Sequence, residues 1–379
     1  MRFSPTHRTR RRPRPAPVPL PGALALAGAL LAAPPSISAQ EVDNLVHPPG
    51  TETAPLGTLG HVEKRGNGPV DLILIPGASF GSSVWEGFMD RNRERYTMWA
   101  VTPAGYDGTR PPPMPEGYPL DRRPWTDGLI DGLAELIRSE GMDEPIVVGH
   151  HVLGDYYARR LGLDHPGLVG GVVVLAGLPT RPQQARGASG APRPATAEEK
   201  LTMAREQLLP MMKAQSRDAW VESAMAAEVL SVDAERGEAL FRRQVANPIP
   251  TQLRYFMEWS GSSLTDRLPD LQDPMLVIFP QRWTDLDGAL RSAPALVQRF
   301  GSGSAEAART ALLDRWGSEG EALARITSLA LWRDLDRAPS DYRVRTVAPS
   351  GVFVMQDRPE ETDRILARWI RERAPGGDG

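Results

Sequence analysis

The chain has 379 residues, 41% of them hydrophobic and 24% charged, with a formal net charge of -3; this is ordinary globular composition for one large domain or two small ones. The near-neutral balance gives no electrostatic case for nucleic acid or an anionic membrane as a partner. Cysteine is absent, which excludes disulfides, thiol catalysis and cysteine-ligated metal.

The first segment in chain order reads as a leader. "MRFSPTHRTRRRPRP" holds six arginines and no acid, and "GALALAGALLAA" follows, an apolar run too short to span a bilayer. "SISA" then places Ala39 where a signal peptidase would cut. Residues 1–39 are therefore expected to be an export signal, with a periplasmic or secreted mature protein and no membrane segment after its removal.

Beyond a Pro- and Gly-containing entry segment, strands and helices alternate through residue 176. "DLILIP" (71–76), "YTMWAVTP" (96–103), "EPIVVG" (144–149) and "LVGGVVVLAG" (168–177) read as strands. They are apolar throughout, as strands buried on both faces of a parallel sheet are. "SSVWEGFMDRNRER", "GLIDGLAELIRSEG" and "VLGDYYARRLGL" read as helices between them. Arg159 and Arg160 are expected to be solvated, with Asp155–Arg159 an i,i+4 pair. Residues 177–196 form a Pro/Gly/Arg-rich linker, and Thr196 with Glu199 makes a capping box that opens a wholly helical stretch over 197–262. Together 177–270 make a linker and helical cap. Residues 271–379 return to the core with "DPMLVIFP" (273–280) and "YRVRTVAP" (342–349), separated by a helical insertion at about 285–340. A last helix carries Ile365, Leu366, Trp369 and Ile370 on one stripe.

This order of elements, with its motifs, resembles the α/β-hydrolase fold. "LIPGASFGSSVW" is similar to that family's oxyanion loop, "VVGHHVLGDYYARRLGLDHPGLVGGVVVLAG" to its nucleophile elbow and flanking elements, and "APSGVFVMQDRPEETDRILARWI" to its closing segment. The resemblance runs over roughly residues 55–375 apart from the cap and the late insertion. It implies a mostly parallel sheet flanked by helices, with a helical cap inserted after the strand that follows the elbow. It also implies where serine, acid and histidine of a catalytic triad would stand. Those places fall on His151, Trp283 and Val352, and the elbow's second glycine falls on Leu153.

The loss of the base does not depend on alignment register. The six histidines are His7, His47, His61, His150, His151 and His165, so none lies near residue 352. Three residues are kept as catalytic candidates. His151 is a potential nucleophile or general base. Ser79 sits in a literal G-x-S-x-G, Gly77-Ala78-Ser79-Phe80-Gly81. Asp285 is an acid just past the 273–280 strand. The backbone amides of Ala78 and Val152 are the expected oxyanion donors. His150, His151 and Asp155 show no further ligand at metal-site spacing, and no cofactor is implied. Two readings follow. The first is an exported pseudo-hydrolase that binds a small apolar molecule or a protein partner. The second is an esterase-like or proton-transfer enzyme that works through His151 or Ser79. Nothing in the sequence fixes the oligomeric state.

Overall fold

The computed structural model describes residues 51–113, 123–179, 184–186, 192–194, 225–260, 264, 266–327, 329–335 and 338–373. The segment expected to be an export signal and residues 195–224, which include the expected capping box, lie outside them. The strands are β1 (His61–Arg65), β2 (Val70–Ile75), β3 (Tyr96–Thr102), β4 (Ile146–His150), β5 (Gly171–Leu175), β6 (Met275–Pro280) and β7 (Tyr342–Val347). They form one sheet in the order β1-β3-β2-β4-β5-β6-β7. Only β1 is antiparallel, pairing His61 with Thr102 and Arg65 with Met98. The sequence reading missed this edge strand because "HVEKR" is polar and only half-buried. It needs a partner on one side only and so lacks the unbroken apolar run that marks the interior strands.

Alternation along each interior strand divides the apolar side chains between two cores. Ile73, Ile75, Val147, Val172, Val174 and Val277 enter the core on one face of the sheet. Leu72, Leu74, Val148, Val173, Leu276 and Ile278 enter the other. Each such side chain, removed from water on both flanks, contributes about 1.5–3 kcal/mol. The helices of the first half are α1 (Glu86–Asn92), α2 (Pro124–Ser139) and α3 (Leu153–Asp164); α4 (Met225–Leu230), α5 (Ala234–Ala246) and α6 (Ile249–Ser260) follow in the cap. The helical character expected for the cap holds over the described parts of 225–260. Inside the linker, Gln184–Arg186 pairs antiparallel with Pro192–Pro194, a short ribbon that its Pro-rich composition did not announce.

The late insertion has helices α7 (Leu286–Ser292), α8 (Pro294–Gly301), α9 (Ala305–Trp316), α10 (Glu319–Ile326) and α11 (Leu329–Arg333). The first four share an apolar core of their own, including Leu286, Leu290, Leu296, Leu312 and Leu323. Its last helix behaves differently. Trp332 is fully buried in the main core, and its indole N–H donates to the Gly177 carbonyl at 2.7 Å. The chain closes with α12 (Val354–Asp357) and α13 (Pro359–Arg371), the latter burying Leu366 and Trp369.

Arg159 and Arg160 are not solvated. Arg159 and Asp155 are both 0% exposed and form a two-pronged ion pair at 2.6 and 2.7 Å. Asp155 also accepts from the Leu178 amide at 3.1 Å, and Arg159 donates to the Leu178 carbonyl at 3.2 Å. The pair thus grips the backbone where β5 runs out into the linker, with the guanidinium 5.3 Å from the Trp332 ring centroid. Arg160 is held by Asp164, Asp127 and the Tyr156 hydroxyl. The sequence pattern showed the i,i+4 spacing but not that α3 lies under both the cap root and the insertion.

Candidate active site

The loops leaving the C-terminal ends of β2, β3, β4 and β5 meet at one edge of the sheet. Each contains a non-glycine residue at positive φ: Ser79 (64°), Asp107 (48°), His151 (39°) with Val152 (43°), and Ala176 (55°). Such backbone costs roughly 1–3 kcal/mol per residue and persists only where its surroundings enforce it. Val152, at φ 43° and ψ -85°, is the severest case because a β-branched residue fits this region worst. The elbow is enforced from below. The His151 amide donates to the Leu175 carbonyl at 2.7 Å, and the Gly154 amide to the His151 carbonyl at 3.2 Å. Gly149 has α3 directly on it, so that an added Cβ would collide with the Gly154 carbonyl and lie 2.7 Å from the Ala158 Cβ.

His151 stands at the tip of this turn, half-buried, with its Nδ1 shut off from solvent and without a hydrogen-bond partner. Burial lowers its pKa to about 4. His150 is fully buried beside it, its ring 4.4 Å from Phe353 and 6.0 Å from Trp85, centroid to centroid. Burial, then the neighbouring His151, lower its pKa to about 3. His150 Nε2 lies 3.0 Å from the Val352 carbonyl oxygen. A carbonyl only accepts, so Nε2 carries the proton and Nδ1 is a bare lone pair. That lone pair abuts Gly77, where an added Cβ would sit 3.0 Å from it and 3.2 Å from the His151 Cβ.

The place implied for the base is thus filled by other bonds. The Val352 carbonyl accepts from His150, and its amide donates to Val229 in the cap at 2.9 Å. Phe353 donates to Leu230 at 3.1 Å. Asp357 fastens the same junction, accepting from Ser231, from the Val232 and Gly351 amides and from Arg236. Trp283, at the implied acid position, packs against the insertion core and donates to Ser292 Oγ at 2.5 Å.

Asp285 is the N-cap of α7 and is solvent-exposed. Its carboxylate accepts from the Gly288 amide, a bond that lowers its pKa. Its hydrogen bonds go to Gly288 and Thr284, and none joins it to His151. Ser79 is buried in the loop after β2. Gln252 donates its side-chain N–H to the Asn247 carbonyl at 2.7 Å, which turns its oxygen toward Ser79, and the Ser79 hydroxyl donates to that oxygen at 2.9 Å. An amide oxygen is not a base, so this bond orients the hydroxyl without activating it. Asn247 completes the clasp, donating to the Ser79 carbonyl at 2.8 Å and accepting from the Asp107 amide at 2.7 Å. No hydrogen bond links His151, Ser79 and Asp285 into a relay. The Ala78 and Val152 amides, the expected oxyanion donors, donate in none of the loop and cap bonds among the described residues, which leaves both available.

The sequence reading missed Asn247, Gln252 and the tyrosines packed below the elbow. Asn-Pro at 247–248, between two helices, was the one local signal. Tyr106, Tyr157 and Tyr255 carry no motif, and only the fold brings their rings together, Tyr106 and Tyr157 at 5.2 and 6.4 Å from Tyr255. Among the described residues no cluster of three or more metal-ligating side chains occurs, and no helix is long and apolar enough to cross a membrane.

Comparison with known proteins bears on the scaffold. Residues 72–377 match the model of the Alpha/beta hydrolase family. No curated protein matches the sequence. Among solved structures, an esterase from Exiguobacterium antarcticum superposes with a TM-score of 0.53 at 13% identity, over 82% of this chain and 95% of its own. A thermophilic esterase from Thermogutta terrifontis gives 0.54 at 15% identity, over 83% and 94%. MenH from S. aureus gives 0.55 at 9% identity, over 83% and 99%. Identities this low show a shared fold and carry no substrate with them.

Proposed function

The chain belongs to the α/β-hydrolase family, and we propose that it is an exported, non-hydrolytic member that binds a small, mostly apolar molecule beneath its cap. The observation that carries this reading is the state of Val352. Where the family's base would stand there is an aliphatic residue whose carbonyl and amide are both already bonded, to His150 and Val229. Loss of nucleophile or base removes roughly a million-fold from kcat in a serine hydrolase. The oxyanion donors and binding alone retain about 10³–10⁴-fold over water. His151 does not replace the base well, because an imidazole whose pKa is lowered to about 4 is a weak proton acceptor at neutral pH.

The test is hydrolysis of activated p-nitrophenyl esters together with thermal shift. The wild type is expected to be little faster than buffer, and His151→Ala to change the rate by less than about tenfold. Medium-length apolar ligands are expected to stabilise the fold, by about 2.7 kcal/mol at a hundredfold excess over Kd. Turnover of some substrate that falls at least about a hundredfold in folded His151→Ala would instead make the histidine a working residue and end the non-hydrolytic reading. Export is checked by the N-terminus of secreted protein, expected near Gln40; residues 1–39 intact on it would refute export processing.

A further inference from the structure

Among the described residues, the hydroxyls of Tyr156, Tyr255 and Tyr342 are bonded, and two others depart from that pattern. Tyr255 donates to the Ala104 carbonyl at 3.0 Å and Tyr342 to the Trp332 carbonyl at 2.9 Å, while Tyr156 accepts from Arg123 and Arg160. The exceptions are Tyr106 and Tyr157. Each residue is 1% exposed, and each hydroxyl is out of contact with water and has no partner. An unmet buried hydroxyl costs about 1–3 kcal/mol, so two in one cluster call for a reason.

Their position supplies one. Tyr106 and Tyr157 flank Tyr255, a residue of cap helix α6, and all three belong to the large apolar core on that face of the sheet, against which the Ala78 and Val152 side chains also pack. The Tyr106 hydroxyl lies beside Ser79 without completing a hydrogen bond. The Ser79 hydroxyl already donates its hydrogen bond to Gln252. Burial raises the pKa of both phenols, so they are protonated donors at neutral pH. The uncommitted backbone amides of Ala78 and Val152, in the loops after β2 and β4, are donors too. The carboxylate of this neighbourhood, Glu258, is committed to the Trp125 and Thr126 amides and to Arg254. The region therefore offers neutral donors, and its carboxylate and the Arg254 cation are paired with each other.

We infer that Tyr106 and Tyr157 are recognition residues that donate to a neutral carbonyl oxygen on the apolar ligand. The inference rests on the ligand-binding reading above and goes beyond it, because it names the chemistry the ligand must carry and the side chains that select it. A carboxylate is disfavoured, since burying its charge without a countercharge is costly.

Three probes of one shape test it by calorimetry and thermal shift: 2-acetylnaphthalene, 2-ethylnaphthalene and 2-naphthoate. None can be hydrolysed, so binding is read apart from turnover. The wild type is expected to bind the ketone about tenfold more tightly than the hydrocarbon, and the carboxylate least well. Tyr106→Phe and Tyr157→Phe should each reduce the ketone preference about threefold to tenfold and leave hydrocarbon affinity unchanged. Without any probe, both variants should be at least as stable as the wild type, since no bond is lost. Equal binding of ketone and hydrocarbon by the wild type would overturn the inference and leave the ligand-binding reading standing. Binding of none of the three would remove that reading and the inference with it. Phe variants that lose stability without a probe yet keep the ketone preference would show that the hydroxyls serve the fold, and would also overturn it.

Discussion

The loops after β2 and β4 and the loops after β6 and β7 open on the same edge of the sheet but retain different parts of a hydrolase. On the β2–β4 side the backbone is intact: a glycine turn, a strained elbow and two available amides. On the β6–β7 side the strand ends are in place, and the side chains at the positions the resemblance implies for acid and base serve packing. Trp283 is a strut of the insertion core, and Val352 is a junction between His150 and the cap. The elbow's shape is over-determined by its neighbours, including the Leu175 carbonyl and helix α3 against Gly149. That shape does not depend on which side chain stands at residue 151. An acid and a base at strand ends have no such structural support, and nothing but turnover would keep them.

The largest effect should come from removing that support. Asp155→Ala leaves Arg159 buried without its carboxylate and frees the Leu178 amide. Breaking one partner of a buried pair costs about 3–5 kcal/mol, and chemical denaturation should read that loss. A cost below about 1 kcal/mol would mean that the pair does not hold the elbow side together.

Next in size is a graft across the divide. If only side chains are missing on the β6–β7 side, His151→Ser with Val352→His should gain ester hydrolysis, by at least about a hundredfold over the wild type. Leu153→Gly is added if the leucine crowds the turn. A folded double variant as inert as its parent would show that the Ala78 and Val152 amides no longer match an oxyanion.

The smallest effect is in pH dependence. His150 and His151 have folded pKa values of about 3 and about 4 against 6.5 for the free side chain, chiefly from burial. Below about pH 6.5 the unfolded chain binds more protons than the folded one, so stability falls with acidification until the folded values are reached, by at most about 1.4 kcal/mol per pH unit per group. Asp273 opposes this at the start of β6. Burial raises it to about 6 from 3.8, so its contribution is complete below pH 3.8 and is lost as pH rises toward 6. Urea melts at pH 4.5 and 7 separate the two. His151→Gln should flatten the acid loss, and Asp273→Asn should steepen the net slope. If neither changes it, these groups do not titrate as placed.

Much of the fold was legible because two-sided burial leaves an unbroken apolar run, as in "DLILIP" and "VVVLAG", and because the elbow and closing segments carry their own motifs. β1 was not legible, since a half-buried edge strand looks like a polar loop. The expectation that no base stands near residue 352 rests on histidine positions alone. The rest of the site was not legible in this way. The Asn247–Gln252 clasp, the Tyr106–Tyr157 pair and the burial of Arg159 arise from contacts between residues far apart in sequence, and no local pattern encodes them. Asp285 is the opposite case: it is local, and an acid just after a strand is as readily a helix cap, the role it takes on α7, as a catalytic partner.

The seam in the late insertion has a consequence for how the molecule comes apart. Helices α7–α10 share one small apolar nucleus, whereas Trp332 on α11 is riveted to the Gly177 carbonyl and lies under Arg159. Opening events follow such boundaries. The amides of 286–326 should exchange with solvent as one early unit, and those of 329–333 late, together with the elbow helix. The accessory domain can then loosen, or accept change in its sequence, without the disturbance passing the indole to reach the elbow.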